Sequence, residues 1–221
     1  SDVTPIPAGP RWRLPLNGAR EYRWTNSGFR ASSLVPTGAV WKYLDSGVNL
    51  SNAWRAPAFN DSAWSSGPAQ LGFGDGDEAT LIASNRQITT YFRRLLGVTN
   101  RADITGLTVR LLRDDGAVVF LNDAEVFRSN LAASGPVAFN QLALAAVPKG
   151  DETTNCYSTN VSVALLQPGT NVLAVEVHQS AADSSDLSFD LELIATVNQP
   201  PRITLTAPPD GLVAAGSAVT L

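Results

Sequence analysis

Apolar and polar residues alternate with a period of two along most of the chain, and turn-forming residues interrupt the alternation about every 8 to 12 positions, the pattern of an all-β sandwich or barrel. The clearest strands are TNVLAVEVHQ (170–179) and DLSFDLELIA (186–195), joined by ITTYFRRLLGV (88–98), LTVRLLRD (107–114) and AVVFLN (117–122). Between the last two, Asp115-Gly116 predicts a hairpin turn, because glycine takes the positive φ that such turns require. A second turn is expected within LNDAEVF (121–127). No segment carries a convincing amphipathic helical period.

The alternation also assigns faces. Leu173, Val175 and Val177 point one way, and Val172, Ala174, Glu176 and His178 the other. In the following strand Leu187, Phe189, Leu191 and Leu193 oppose Ser188, Asp190 and Glu192. An antiparallel hairpin around 180–185 would bring Glu176 and His178 close to Ser188 and Asp190 on one polar face. Such a row suits a sugar-binding surface, and equally the wet outer side of an antiparallel sheet.

With 221 residues, 44% hydrophobic, the chain is large enough for one core plus extensions. The net charge of -4 is unevenly placed: ten Lys/Arg against seven Asp/Glu up to residue 100, then six against thirteen. No basic stripe emerges, so nucleic acid is not an expected partner. No apolar run approaches the ~20 residues of a membrane span, and SDVTPIPAGP lacks the regions of a signal peptide; an exported chain would already have lost its signal. Cys156 has no internal disulfide partner and is expected in the core. Residues 1–34 are rich in Arg, Pro and Trp and read as an arm or the end of a preceding domain. The segment VNQPPRITLTAPPDG (197–211) reads as a semi-rigid linker. Residues 198–221 are too short to bury a core, so the chain is expected to be an excerpt of a longer one.

Catalytic chemistry has little to work with. His178 is the one histidine and Cys156 the one cysteine, which leaves zinc without its ligands. Nucleophile elbows, phosphate loops and dinucleotide fingerprints are absent. All five tryptophans (12, 24, 41, 54 and 64) fall early in the chain. Trp41 and Trp64 sit in apolar patterns and are expected in the core or at its edge. Trp54, between turn residues and beside Arg55, is the leading ligand candidate, offering a flat platform next to a multidentate donor. LGFGDGDEATL (71–81) gathers Asp75, Asp77 and Glu78 in a glycine-rich loop. Hard oxygen ligands in a flexible loop suit calcium, and the same residues suit a capped turn or part of a binding rim. Asp114 and Asp115 read first as turn residues.

Five segments together resemble a known module: VWKYLDSG, AWRAPAFNDSAWSSGPAQLGFGDGDEAT, ITTYFRRLLGV, LTVRLLRDDGAVVFLNDAEVFRSN and LLQPGTNVLAVEVHQSAADSSDLSFDLELI. They look like the galactose-binding-like, jelly-roll β-sandwich of large secreted bacterial proteins, similar to the sugar-binding domains of β-galactosidase-type and rhamnosidase-type hydrolases. The resemblance covers about residues 35–196 and implies a non-catalytic accessory module, extracellular or at the cell surface, that binds a glycan at a loop rim and is flanked by further domains. It also implies that a structural calcium is common. On that reading the jelly roll spans 35–197, the ligand site draws on Trp54, Arg55, Asp115 and His178, and any calcium on Asp75, Asp77 and Glu78. Residues 198–221 resemble the opening of a bacterial immunoglobulin-like domain. Where the family usually has Asn-Gly at a turn, this chain has Asn122-Asp123, so a wider or strained turn is expected there. The alternative is a structural spacer or assembly domain of a surface adhesin, with ITLTAP donating a strand to a neighbouring chain.

Overall fold

The computed structural model describes residues 28–84, 87–148, 151 and 155–198, and the backbone of strands at 11–12, 21–25 and 202–206. In chain order the strands are β1 (Arg11–Trp12), β2 (Glu21–Thr25), β3 (Phe29–Val35), β4 (Val40–Leu44), β5 (Ser65–Pro68), β6 (Leu71–Phe73), β7 (Thr80–Leu81), β8 (Thr89–Val98), β9 (Ile104–Asp114), β10 (Gly116–Leu121), β11 (Ala124–Ser129), β12 (Tyr157–Val161), β13 (Gly169–His178), β14 (Leu187–Asn198) and β15 (Arg202–Thr206). The chain divides into two units, one of residues 31–197 and one of the two terminal segments. In the terminal unit β2 is flanked by β1 and β15. The tail strand expected to serve a neighbouring chain, within a segment read as linker, is thus paired antiparallel with β2 of its own chain. The side chains of Trp12 and Trp24, and the immunoglobulin-like continuation beyond residue 206, lie outside the described residues.

Residues 31–197 form an all-β, jelly-roll-like sandwich. The front sheet runs β11-β10-β13-β8-β4-β5; the back sheet runs β12-β9-β14-β6-β7, with β3 added on β14. Between them Leu71, Leu111, Leu173, Val175, Leu187 and Leu191 are buried, each stabilising the fold by about 1.5–3 kcal/mol. Phe189 is the aromatic centre, stacked on Phe92 at 4.0 Å and edge-on to Trp41 at 5.1 Å. Trp41 is fully buried, and Trp64 packs half-buried against a second cluster, as their apolar contexts predict.

Two expected hairpins are absent. Asp115-Gly116 does not turn β9 back on itself, since β9 pairs with β12 and β14 while β10 pairs with β11 and β13. The chain crosses there from back sheet to front, and Gly116 is not among the residues of positive φ. Glycine suits the crossing for another reason: a Cβ would lie 2.9 Å from that of Ala143. Likewise β13 and β14 belong to different sheets, β13 in the front between β10 and β8, β14 in the back. The tight turn falls at Asn122-Asp123, with φ of 51° and 72°, the positive values of a two-residue type I′ turn joining β10 and β11.

The outer face of the front sheet is not solvated. Val118, Phe120, Val172, Ala174 and Tyr91 form a second apolar cluster there with Trp54, Leu131 and Ala143 from covering segments. β13 is consequently buried on both sides from Asn171 to His178.

Candidate functional site

Because β8, β10 and β13 present Tyr91, Phe120 and Glu176 on this covered face, the covering segments enclose a pocket of about 580 Å³ over them. One wall comes from Asn49 to Arg55, which includes the 3-10 turn Ala53–Arg55; the others come from Glu125 and Arg128 of β11 and from residues 135–140. Glu176 stands opposite Val118 and Tyr91 in the register of its neighbours, at the centre of the floor.

The polar groups of the walls differ in how far they are satisfied. Arg128 holds both oxygens of Glu125, through Nε at 2.8 Å and Nη2 at 2.7 Å, and donates to the Ala132 and Gly135 carbonyls. It pins the covering loop. Arg55 lies over the Phe120 ring at 4.4 Å, and its Nε is held by Asp123 Oδ1 at 3.1 Å, tying the 3-10 turn to the tip of the β10–β11 hairpin. Glu176 is 8% exposed. His178 Nε2 stands 3.8 Å from it, beyond hydrogen-bond reach, and the Arg128 guanidinium and the Tyr91 phenol also feel its charge. Burial pushes the Tyr91 phenol up to about 12; the Glu176 charge adds to this, and a hydrogen bond with the Leu50 backbone opposes it.

The sequence-derived candidates fare unequally. Arg55 does stand in the pocket wall. Trp54 also lines it, but its ring is fully buried against Tyr91 at 4.7 Å and Phe120 at 6.0 Å, so it offers no open platform for stacking. Its apolar neighbours required a lid on that sheet face, and Trp54 supplies it. Asp115 does not line the pocket: Oδ1 accepts the Val147 amide at 2.7 Å and Oδ2 the Ser180 amide at 2.6 Å, making it a staple at the crossing between sheets. His178 is fully buried outside the lining, with Nδ1 donating to the Gln141 carbonyl at 2.9 Å and close to Thr89 Oγ1 at 3.1 Å. Its Nε2 has no hydrogen-bond partner among the described residues. The expected row of Glu176, His178, Ser188 and Asp190 is split between the outer faces of opposite sheets, because β13 and β14 are not neighbours.

Asp75, Asp77 and Glu78 do converge, with one ligand atom from each within 4.8 Å of the others. None lines the pocket. Glu78 accepts the amides of Asp75 at 2.9 Å and Gly76 at 3.0 Å. Asp75 accepts from Ser188 Oγ at 3.0 Å, and Gln70 Nε2 bridges Ser188 at 2.7 Å and Asp77 at 3.3 Å, anchoring the loop to the back sheet. Burial pushes the Glu78 carboxyl up, but the three amides of Asp75, Glu78 and Gly76 outweigh it and hold it below its ordinary range. Cys156 is exposed rather than in the core, just before the edge strand β12, where one neighbour covers less of the chain.

The pocket residues that sequence reasoning passed over are Asn49, Ser51, Asn52, Tyr91, Phe120, Glu125, Arg128 and the residues at 135–140. Glu176 carried a signal, a carboxylate inside the apolar run VLAVEV, but it was weighed only as part of the row with His178. Arg128 and 135–140 carried none, since they reach the pocket through the loop that folds over the sheet.

No family model and no curated protein matches the chain. Solved structures similar to it include a beta-glucuronidase from Bacteroides uniformis (16% identity over 76% of this chain and 18% of that one, TM-score 0.48). Others are a beta-glucuronidase from an uncultured Clostridium sp. (14%, 84% and 31%, TM-score 0.46) and a beta-glucuronidase of glycoside hydrolase family 2 (14%, 77% and 18%, TM-score 0.49). The chain spans less than a third of the length of each.

Proposed function

We propose that this chain is a non-catalytic, carbohydrate-binding accessory module of an exported, multidomain bacterial protein, and that its glycan enters the pocket over β8, β10 and β13. The observation that carries the reading is the pocket's pair of opposite polar groups, a donor in Arg55 and an acceptor in Glu176, over a floor whose Tyr91 and Phe120 rings are themselves almost wholly buried. Sugar hydroxyls both donate and accept, so they can use both groups at once. Hydrolysis by a carboxylate pair has less support, because Arg128 engages both oxygens of Glu125 and leaves Glu176 as the one uncommitted carboxylate of the lining. Affinity electrophoresis in gels cast with plant, algal and bacterial polysaccharides tests the reading. Retardation in at least one gel, reduced by Arg55→Ala, is expected; unretarded migration in all of them contradicts it.

The acidic loop is part of the same proposal. Asp75, Asp77 and Glu78 form an all-oxygen set that fits calcium, which takes 6 to 8 oxygen ligands and can complete its shell with carbonyls and water. Their existing hydrogen bonds make the loop a preformed turn to which the ion would add. Calcium at millimolar concentration is expected to raise the melting temperature by a few degrees, and Asp77→Asn to remove the rise. A melting curve unchanged by calcium and by chelator contradicts the assignment.

A further inference from the structure

Among the charged groups of the pocket, one has no hydrogen-bonded partner, although the Arg128 charge acts on it from the wall. Arg128 and Glu125 neutralise each other, and the remaining Arg128 contacts go to the Ala132 and Gly135 carbonyls. Arg55 has its charge matched by Asp123, while its terminal Nη groups make no hydrogen bond to the described residues and stay available as donors. Glu176 accepts no hydrogen bond from the described residues, and the nearest ring nitrogen stands 3.8 Å away. A carboxylate that is almost buried and unpaired is costly unless something donates to it. The cavity in front of it is large enough to hold what does.

We infer that the pocket selects saccharides that present hydrogen-bond donors, hydroxyls or a protonated amine, to Glu176, and that it rejects saccharides presenting a carboxylate there. This rests on the carbohydrate-binding reading and deepens it. Two vicinal hydroxyls donate to the two oxygens of one carboxylate, and their remaining lone pairs accept from the Arg55 Nη groups. An ammonium adds charge compensation to the same contact. A uronate carboxyl instead places a second negative charge beside Glu176, where like charges repel. Arg55 can donate from its Nη groups to either form, but its charge is already matched by Asp123, so a uronate gains no net charge compensation from it.

Titration calorimetry of the whole chain against gluco-, galacto- and manno-configured oligosaccharides of matched length, each in neutral, 2-amino and uronate form, tests the inference. In the configuration that binds, the neutral or amino form is expected to bind at least about tenfold more tightly than the uronate. Glu176→Gln should shrink that gap to about twofold, because the amide keeps the shape and removes the charge. An amino form whose advantage over the neutral one vanishes in Glu176→Gln identifies the ammonium as the preferred donor; equal affinities identify the hydroxyls. A second measurement needs no variant: raising salt from about 20 mM to about 500 mM should narrow the gap in the wild type, as expected for a charge repulsion open to screening. Uronates that bind as tightly as the neutral forms, or a gap that Glu176→Gln and salt leave unchanged, overturn the inference while the carbohydrate-binding reading stands. Binding of none of the nine sugars overturns both.

Discussion

Arg93 is 1% exposed, yet it donates to Asp61 Oδ2 at 2.9 Å, to the Trp54 and Ala56 carbonyls, and lies over the Phe59 ring at 5.2 Å. It is the bolt that holds the covering segment of residues 54–61 onto the sheet. Arg93→Met removes the charge and leaves these acceptors behind, and should destabilise the protein by about 3 kcal/mol in urea denaturation; a wild-type midpoint contradicts this role. Burial pushes the Asp61 carboxyl up, but hydrogen bonds and charges from Lys42 and Arg93 prevail and hold it below the ordinary carboxyl value of 3.8. The lowered folded value means that the stability gained is present above pH 3.8 and is lost as pH falls through that lowered value. Asp61→Asn should therefore lose stability at neutral pH and show a shallower acid decline than wild type, and an unchanged acid profile counts against the pair. At Asp115 both oxygens accept backbone amides, and Asp115→Asn turns one acceptor into a donor facing another donor. A loss of about 2 kcal/mol is expected there, with glycan affinity retained by the folded fraction; lost affinity in folded protein would return Asp115 to the binding site. Sequence reasoning saw an acid beside a turn glycine but could not see those amides, which come from 32 and 65 residues away.

At the scale of elements, alternation was readable and pairing was not. The faces of β13 and β14 follow their sequence period residue by residue, since side-chain direction is local. Which strand lies beside which depends on where the connections cross, and the loop 180–185 gives no sign that it changes sheets. Both failed hairpins, at Asp115-Gly116 and at 180–185, are crossings between the two sheets. The successful turn, Asn122-Asp123, is of the kind whose backbone requirement two residues declare by themselves. Close approach of elements makes a further prediction: a Cβ on Gly72 would sit 1.9 Å from the Leu187 carbonyl oxygen, where β6 meets β14, whereas one on Gly76 meets nothing within 4 Å. Gly72→Ala is expected to destabilise by about 3 kcal/mol or more, and Gly76→Ala by about 1 kcal/mol from its positive φ alone. Equal midpoints for the two variants would contradict the packing of β6.

For the whole molecule, the sandwich was legible because many weak local signals agree on one architecture, and the pocket was not because no single segment builds it. Its floor comes from three strands that adjoin only in the folded sheet, and its walls from residues 49–55, 125–128 and 135–140. The tryptophan chosen from sequence belongs to that assembly as support for the floor, while the neighbouring arginine reaches the cavity. The most direct test is calorimetric titration of wild type and Arg55→Ala with neutral oligosaccharides. The account predicts saturable one-site binding that Arg55→Ala weakens about tenfold, equivalent to about 1.4 kcal/mol, in protein that stays folded and loses only the about 1 kcal/mol of an exposed ion pair and a cation–π contact. Absence of binding, or binding that neither Arg55→Ala nor Glu176→Ala alters, would contradict it.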